Sequence, residues 1–189
     1  PRYNYNELYD DAINEAARDT DNNRFGIKNS FYTQRVKKNL AKTKGSQRNF
    51  NYTKSPEYGD LEVVLNQFKN TNSNVLFIIP PVNSKWEKYT GMDMNMYYQS
   101  VEKIKFQLRQ QGFNHILDLS HDGDKPGFME DTIHIGWAGW VKVDKATNSF
   151  ISNKQPQPHY QINSKFLSPE WTNLTPTPGN LQKFQEKLH

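Results

Sequence analysis

An α/β fold built on a parallel sheet is what this chain of 189 residues predicts. Two observations carry the expectation. "NVLFIIP" (74–80) is a short continuous apolar run stopped by two prolines, and "NHILDLS" (114–120) is a second apolar stretch of strand length. The first run reads as a strand buried on both faces of a parallel sheet. Between them, "DMNMYYQSVEKIKFQLRQQGF" (93–113) keeps Met94, Tyr97, Val101, Ile104 and Leu108 at helical spacing, with Gly112 placed to end the helix. Strand, helix and strand with short joints make a βαβ unit. Reactive groups in open α/β sheets gather beyond the carboxyl ends of the strands. The loops "PPVNSKW" (80–86) and "HDGDKPGFMEDTIHIGWAGW" (121–140) are therefore where a site belongs.

The remaining elements follow in chain order. Residues 1–73 read as mostly helical. In 6–19, Leu8, Ala12, Ile13 and Ala16 recur at helical spacing, with Asn6 as the expected cap. A second helix over 30–42 carries Phe31, Val36 and Leu40 behind Ser30 as cap. Residues 45–58 are turn-rich and aperiodic, a long loop. A helix over 55–70 places Leu61, Val64, Leu65 and Phe68 on one face. Residues 74–147 form the βαβ core and end in a helix over 135–147, where Gly136 and Gly139 allow close packing on the sheet. Residues 148–189 are a Pro-, Gln- and Asn-rich tail with a short helix near 179–188. There is no internal repeat, and one domain is expected over 1–189.

Composition narrows the function. Hydrophobic residues are 34% and mean hydropathy is −0.94, yet aromatics reach 13%, which points to an aromatic-rich core under a polar surface rather than to disorder. The net charge of +4 favours polyanionic partners, such as nucleic acid, teichoic acid or anionic lipid headgroups, although a solvated lysine-rich surface gives the same total. Absence of cysteine excludes disulfides, a Cys nucleophile and Cys-ligated zinc. No run of about 18 apolar residues is present to span a membrane. The chain begins at Pro1 without an initiator Met, so a targeting segment is expected upstream.

The pair Asp131 and His134 carries the chemistry. A hydroxyl needs a base to become a nucleophile, and histidine titrates near neutrality. The imidazole needs an acceptor on its other nitrogen to fix its tautomer, usually a carboxylate. Three residues of separation bring the two side chains within reach where a loop runs into a helix. Ile135, Trp137 and Trp140 would anchor the pair to the body. Two other readings stand beside this one. Asp131 could cap the helix that follows. Alternatively His121, Asp122, Asp124, Asp131 and His134 could hold a metal, but "DGDKPG" breaks the EF-hand pattern and no His-x-x-x-His pair exists; no metal and no cofactor are expected. Trp86, Tyr89 and Trp137 could line a cleft or be buried in the core.

These residues resemble a known family. Asp-x-x-His ahead of the last helix is similar to the final sequence block of the SGNH (GDSL-like) hydrolases. The series "NVLFIIPPVNSKWEKYTGM", "GFNHILDLS" and "FMEDTIHIGWAGW" resembles the DltD branch, which takes part in D-alanylation of teichoic acid. The specific likeness runs over 74–143. The resemblance implies a three-layer α/β/α domain of which this is the carboxy-terminal part. It implies acyl-transfer or thioesterase chemistry by a Ser-His-Asp triad, with His134 as base and Asp131 as its orienter. Asn83 falls near the family's Asn-bearing block and is the candidate for an oxyanion or substrate contact. No Gly-Ser block is present; Ser84 and Ser120 follow strands, but Ser120 follows the second strand of the unit, too late in the fold. The nucleophile and a membrane anchor are therefore expected outside this chain, which should be inactive alone. Implied partners are lipoteichoic or teichoic acid and a D-alanyl carrier protein or membrane acyltransferase, at the outer face of the cell membrane, and not nucleic acid. The alternative is a non-enzymatic module that binds carrier protein or polyanionic cell-wall polymer.

Overall fold

A computed structural model describes residues 3–189. Its sheet is a parallel pair. Strands β1 (Phe77–Ile79) and β2 (Ile116–Asp118) are joined by hydrogen bonds from Phe77 N to His115 O and from Leu119 N to Ile79 O, both 2.9 Å. Between them lie α5 (Ser84–Thr90) and α6 (Met94–Gln110), so the strand–helix–strand reading and the α/β class hold. The strands are shorter than the apolar runs, and Ile78 is 38% exposed. One face of β1 is thus open among the described residues, against the expectation of burial on both faces.

The other helices are α1 (Tyr5–Arg18), α2 (Asn29–Phe31), α3 (Leu40–Thr43), α4 (Glu57–Thr71), α7 (Trp137–Ser152), α8 (Pro169–Thr172) and α9 (Pro178–Glu186). Several boundaries differ from the sequence expectation for local reasons. Asn4, not Asn6, caps α1: its Oδ1 accepts from the N–H groups of Asn6 and Glu7 at 3.2 and 3.4 Å. The second helix is one run with changing pitch: α2, a π turn (Tyr32–Val36), a 3₁₀ turn (Lys37–Asn39) and α3. It starts behind Lys28 with no side-chain cap, so Ser30 lies inside it. In α4 the buried residues are Tyr58, Glu62 and Leu65, while Val64 is exposed. The buried face is turned toward Glu62 because Gln111 supplies that carboxylate with a donor.

The chain packs as two compact units. The first comprises the residues up to Asn49 together with Ile78–Met92 and Leu117–Lys154. One core there joins Leu119, Phe128, Met129, Ile135 and Val143. A second joins Phe25, Ile27 and Val36, with Trp86 and Tyr89 packed on it. Helix α1 packs on α7, where Tyr5 Oη donates to Asp144 Oδ2 at 3.0 Å. Gly139 is needed for packing, though against a loop rather than the sheet: a Cβ there would stand 2.9 Å from both Phe128 O and Ile135 Cβ.

The second unit comprises Phe50–Phe77, Asp93–Ile116 and Gln155–His189. Its aromatic core gathers Tyr58, Phe166, Trp171 and Phe184 around Phe106. One stripe of α6 is polar and buried. Lys103 donates to the carbonyls of Thr53, Leu174 and Thr172 at 2.7, 2.9 and 3.3 Å. Gln107 links Tyr58 O to the Trp171 indole, and Gln111 links Glu62 to the backbone N of Asn163. Among the described residues no helix is long and apolar enough to cross a membrane.

Candidate active site

The site grows from the two strand-end loops. After β1, Asn83 closes the first turn of α5: its Oδ1 accepts from Trp86 N at 3.0 Å and its Nδ2 donates to Phe25 O at 3.0 Å. Its backbone N–H donates to Thr132 O at 3.0 Å, which ties this loop to the turn carrying the Asp-x-x-His pair. Asn83 is buried and its amide is engaged inside the protein. The position expected to contact substrate is, in this structure, a helix cap and a loop tie.

After β2 the chain is held by Asp122, which accepts from Lys125 Nζ at 2.6 Å and Lys142 Nζ at 2.8 Å. Burial alone would raise this carboxyl, but the hydrogen bonds and charges of the two lysines hold it below its ordinary value. Met129 then bridges antiparallel to Ile135, so residues 129–135 fold back on themselves. Glu130 N donates to His134 O at 2.9 Å and Gly136 N to Phe128 O at 2.7 Å. Because Gly136 is extended (φ −93°, ψ −165°), α7 begins at Trp137, and Asp131 caps this turn rather than the helix.

Asp131 uses both oxygens. Oδ1 accepts from the backbone N–H groups of Ile133 at 2.9 Å and His134 at 2.7 Å; Oδ2 lies 2.7 Å from His134 Nδ1. An ionised carboxylate can only accept, so Nδ1 carries the proton and Nε2 of the neutral ring is left as a bare acceptor. The carboxylate side chain is 11% exposed and the imidazole 71%. The orienting group is therefore buried and fixed, while the ring is presented outward. Among the described residues Nε2 has no hydrogen-bond partner, and no serine hydroxyl meets it. Ser120 is buried with its Oγ donating to Asp118 Oδ1 at 2.6 Å.

The tryptophans do not anchor the pair. Trp137 is 68% and Trp140 57% exposed, and Ile133 is exposed too; Ile135 is the buried member. The reason is the start of α7: with Gly139 and Ala138 on the buried side, Trp137 and Trp140 fall on the outer face. Tyr89 and Trp137 line surface hollows, whereas Trp86 packs on Phe25 with ring centroids 5.4 Å apart. Among the described residues no three His, Asp or Glu side chains converge as a metal centre would require. The lysine clamp on Asp122 was not read from the sequence. Its signal was there in part, as the Asp122–Lys125 spacing of three residues.

The family profile described as DltD protein matches residues 1–152. Protein DltD of Lacticaseibacillus rhamnosus is 49% identical over 170 residues, covering 89% of this chain and 40% of that protein. Protein DltD of Bacillus subtilis (strain 168) is 39% identical over 146 residues, 77% of this chain and 37% of the relative. Protein DltD of Staphylococcus aureus (strain NCTC 8325 / PS 47) is 26% identical over 158 residues, 84% and 39% of the two chains. The chain thus spans about 40% of the length of the relatives it matches, and it belongs to the DltD family.

Proposed function

We propose that this chain carries the base and its orienter for an acyl-transfer centre that places D-alanine esters on teichoic acid. The observation that supports the reading is the exposed His134 ring held through Nδ1 by the buried, doubly anchored Asp131. In this reading a serine from sequence outside the chain gives its proton to His134 Nε2 as its Oγ attacks the D-alanyl carbonyl, and the donor's leaving group takes that proton. A glycerol or ribitol hydroxyl of the polymer then repeats the sequence on the acyl-serine and leaves as the D-alanyl ester. Asp131 stabilises the imidazolium in both steps. Asn83 acts by position, holding the Thr132 carbonyl and so the turn. The D-alanyl donor is a carrier protein or membrane acyltransferase, and the work is done at the outer face of the cell membrane.

The competing reading is that Asp131 serves only to close a turn, and its two bonds to backbone N–H groups favour that reading. The two separate in His134→Ala, introduced into the whole gene. Loss of a triad base costs several powers of ten in rate, while loss of an exposed ring costs at most about 1 kcal/mol of stability. Ester-linked D-alanine should disappear from the cell wall and the melting temperature should hardly move, while His121→Ala should leave D-alanine in place. Normal D-alanine in His134→Ala, or a melt that falls in step with activity, leaves only the turn-closing role. The 189-residue chain alone should not turn over a chromogenic acetyl ester; His134-dependent turnover by it would mean that the serine lies within these residues.

A further inference from the structure

We propose that the groove lined by Arg24, Lys44, Arg48, Lys85 and Lys88 over a floor of Phe25 and Tyr89 binds the phosphodiester backbone of an anionic polymer. The inference rests on the reading above only for which polyanion occupies it.

The charge is the first argument. Five cations and no carboxylate line the groove. Among the described residues none of the five forms an ion pair, although elsewhere in this unit Lys28, Lys125 and Lys142 do. Five of the 24 Lys and Arg stand here, and the other nineteen are outnumbered by the 20 Asp and Glu. Unpaired like charges held together repel one another, and an anion relieves that repulsion.

The groove is also held in shape by the backbone and by its own side chains. Its two walls are the residues around 44–48 and helix α5, and backbone bonds join them: Gly45 N to Tyr89 O at 3.1 Å and Gln47 N to Thr90 O at 2.9 Å. Arg48 lies across two glycines of positive φ. A Cβ on Gly91 would stand 2.6 Å from Arg48 Cγ, and one on Gly45 3.0 Å from Arg48 Nε. Arg24 is held over both floor rings, its guanidinium carbon 5.1 Å from the Phe25 centroid and 4.8 Å from that of Tyr89. Tyr89 is fixed in turn by its hydroxyl, which donates to Leu40 O at 2.6 Å.

Shape selects the ligand. A volume of about 420 Å³ is of the size that accommodates an extended ligand rather than a single phosphate. None of the lining residues is an exposed large apolar side chain of the kind that enters a bilayer. Guanidinium and ammonium groups meet phosphate oxygens. Phe25 and Lys85 also line a neighbouring hollow of about 250 Å³ that includes Asn83 and Met129. The groove thus adjoins a hollow beside the loop of Asn83, whose backbone N–H holds the Thr132 carbonyl of the Asp131 turn.

The test is the binding of end-labelled poly(glycerol phosphate) by fluorescence anisotropy. Lys44→Glu with Lys88→Glu should weaken binding by about tenfold or more and flatten its salt dependence. Lys69→Glu with Lys165→Glu, the same charge change on exposed residues outside the groove, should weaken it less than about threefold. All four side chains are exposed, and thermal melts matching wild type identify the change as one of binding. Equal losses in the two pairs would mean diffuse attraction and overturn the site. So would polyglutamate binding as tightly as the polymer, which points to an acidic protein, or phosphatidylglycerol vesicles doing so, which points to the membrane. His134→Ala should bind the polymer as wild type does, which keeps the two assignments apart. Normal binding by the groove pair sinks the groove alone, and normal D-alanine in His134→Ala sinks the catalytic reading alone.

Discussion

Asp131→Asn separates the chemistry of the pair from its role in folding. The amide oxygen can take over Oδ1, accepting from Ile133 N and His134 N, since Asn closes such turns about as well as Asp. Those two bonds also fix which way the amide points, so Nδ2 must replace Oδ2 opposite His134 Nδ1. A donor now faces a donor. The ring escapes by moving its proton to Nε2, which leaves Nδ1 to accept and removes the base from the exposed edge. The stability cost is that of weakening one charge-assisted bond at a side chain whose partner is largely exposed, less than about 1 kcal/mol. The rate cost is that of a wrong tautomer, on the order of 10⁴ in the serine protease case. Asp131→Ala differs because it leaves two backbone donors without a partner, at about 1–3 kcal/mol each where buried. D-alanine ester content in cells carrying the whole gene, beside a urea melt of each protein, reads both effects. Asn should match Ala in lost activity and wild type in stability. If the Asn variant keeps D-alanine within about tenfold of wild type, or unfolds as easily as Ala, Asp131 does not fix a catalytic tautomer.

Glu87→Gln should stabilise the protein above neutral pH. Burial raises the Glu87 carboxyl from 4.5 to about 7, and its Oε1 has no hydrogen-bond partner. A raised carboxyl holds its proton in the folded state after the unfolded chain has lost it, so stability falls as pH rises from 4.5 to about 7 and stays lower above that. The difference between variant and wild type in denaturant should grow over that window to about 3 kcal/mol at most, and a difference that is flat with pH would refute it. Gly139→Ala should destabilise by about 1–3 kcal/mol despite the better helix former, because its Cβ meets a backbone carbonyl that cannot swing away; an unchanged melting temperature would mean that α7 shifts freely.

The Asp-x-x-His pair was legible because its chemistry is local. Residues 129–135 close on themselves, so three residues of spacing largely decide where Asp131 and His134 meet. The βαβ unit was legible for a similar reason, since each strand and helix declares itself by its own period. Burial was not, because it depends on distant partners. Val64 looked apolar and inward until Gln111, 47 positions away in sequence, gave Glu62 a reason to be buried instead. Trp137 and Trp140 looked like anchors, but the extended Gly136 sets where α7 begins and turns them out.

The residues after Gln155 make the same point from the other side. Their Pro, Gln and Asn content reads as a tail, yet they supply much of the second unit's core. Tyr160 stacks on Phe113 with centroids 3.9 Å apart and donates to Ser73 O at 2.6 Å. Trp171, in a helix of only four residues, is completely buried. What holds this stretch is a polar stripe at 103 and 107 on α6 and at its C-cap, 111, where an amphipathic helix would place solvent-facing residues. Lys103 satisfies three carbonyls of irregular backbone, and Gln111 pins Gln161 and Asn163. Irregular chain can be buried only where its peptide groups find partners, so long polar side chains on α6 do the work that a strand ladder would do. A stripe of Lys and Gln at four-residue spacing on a helix between two strands is therefore a sign of covered loop backbone as much as of solvent.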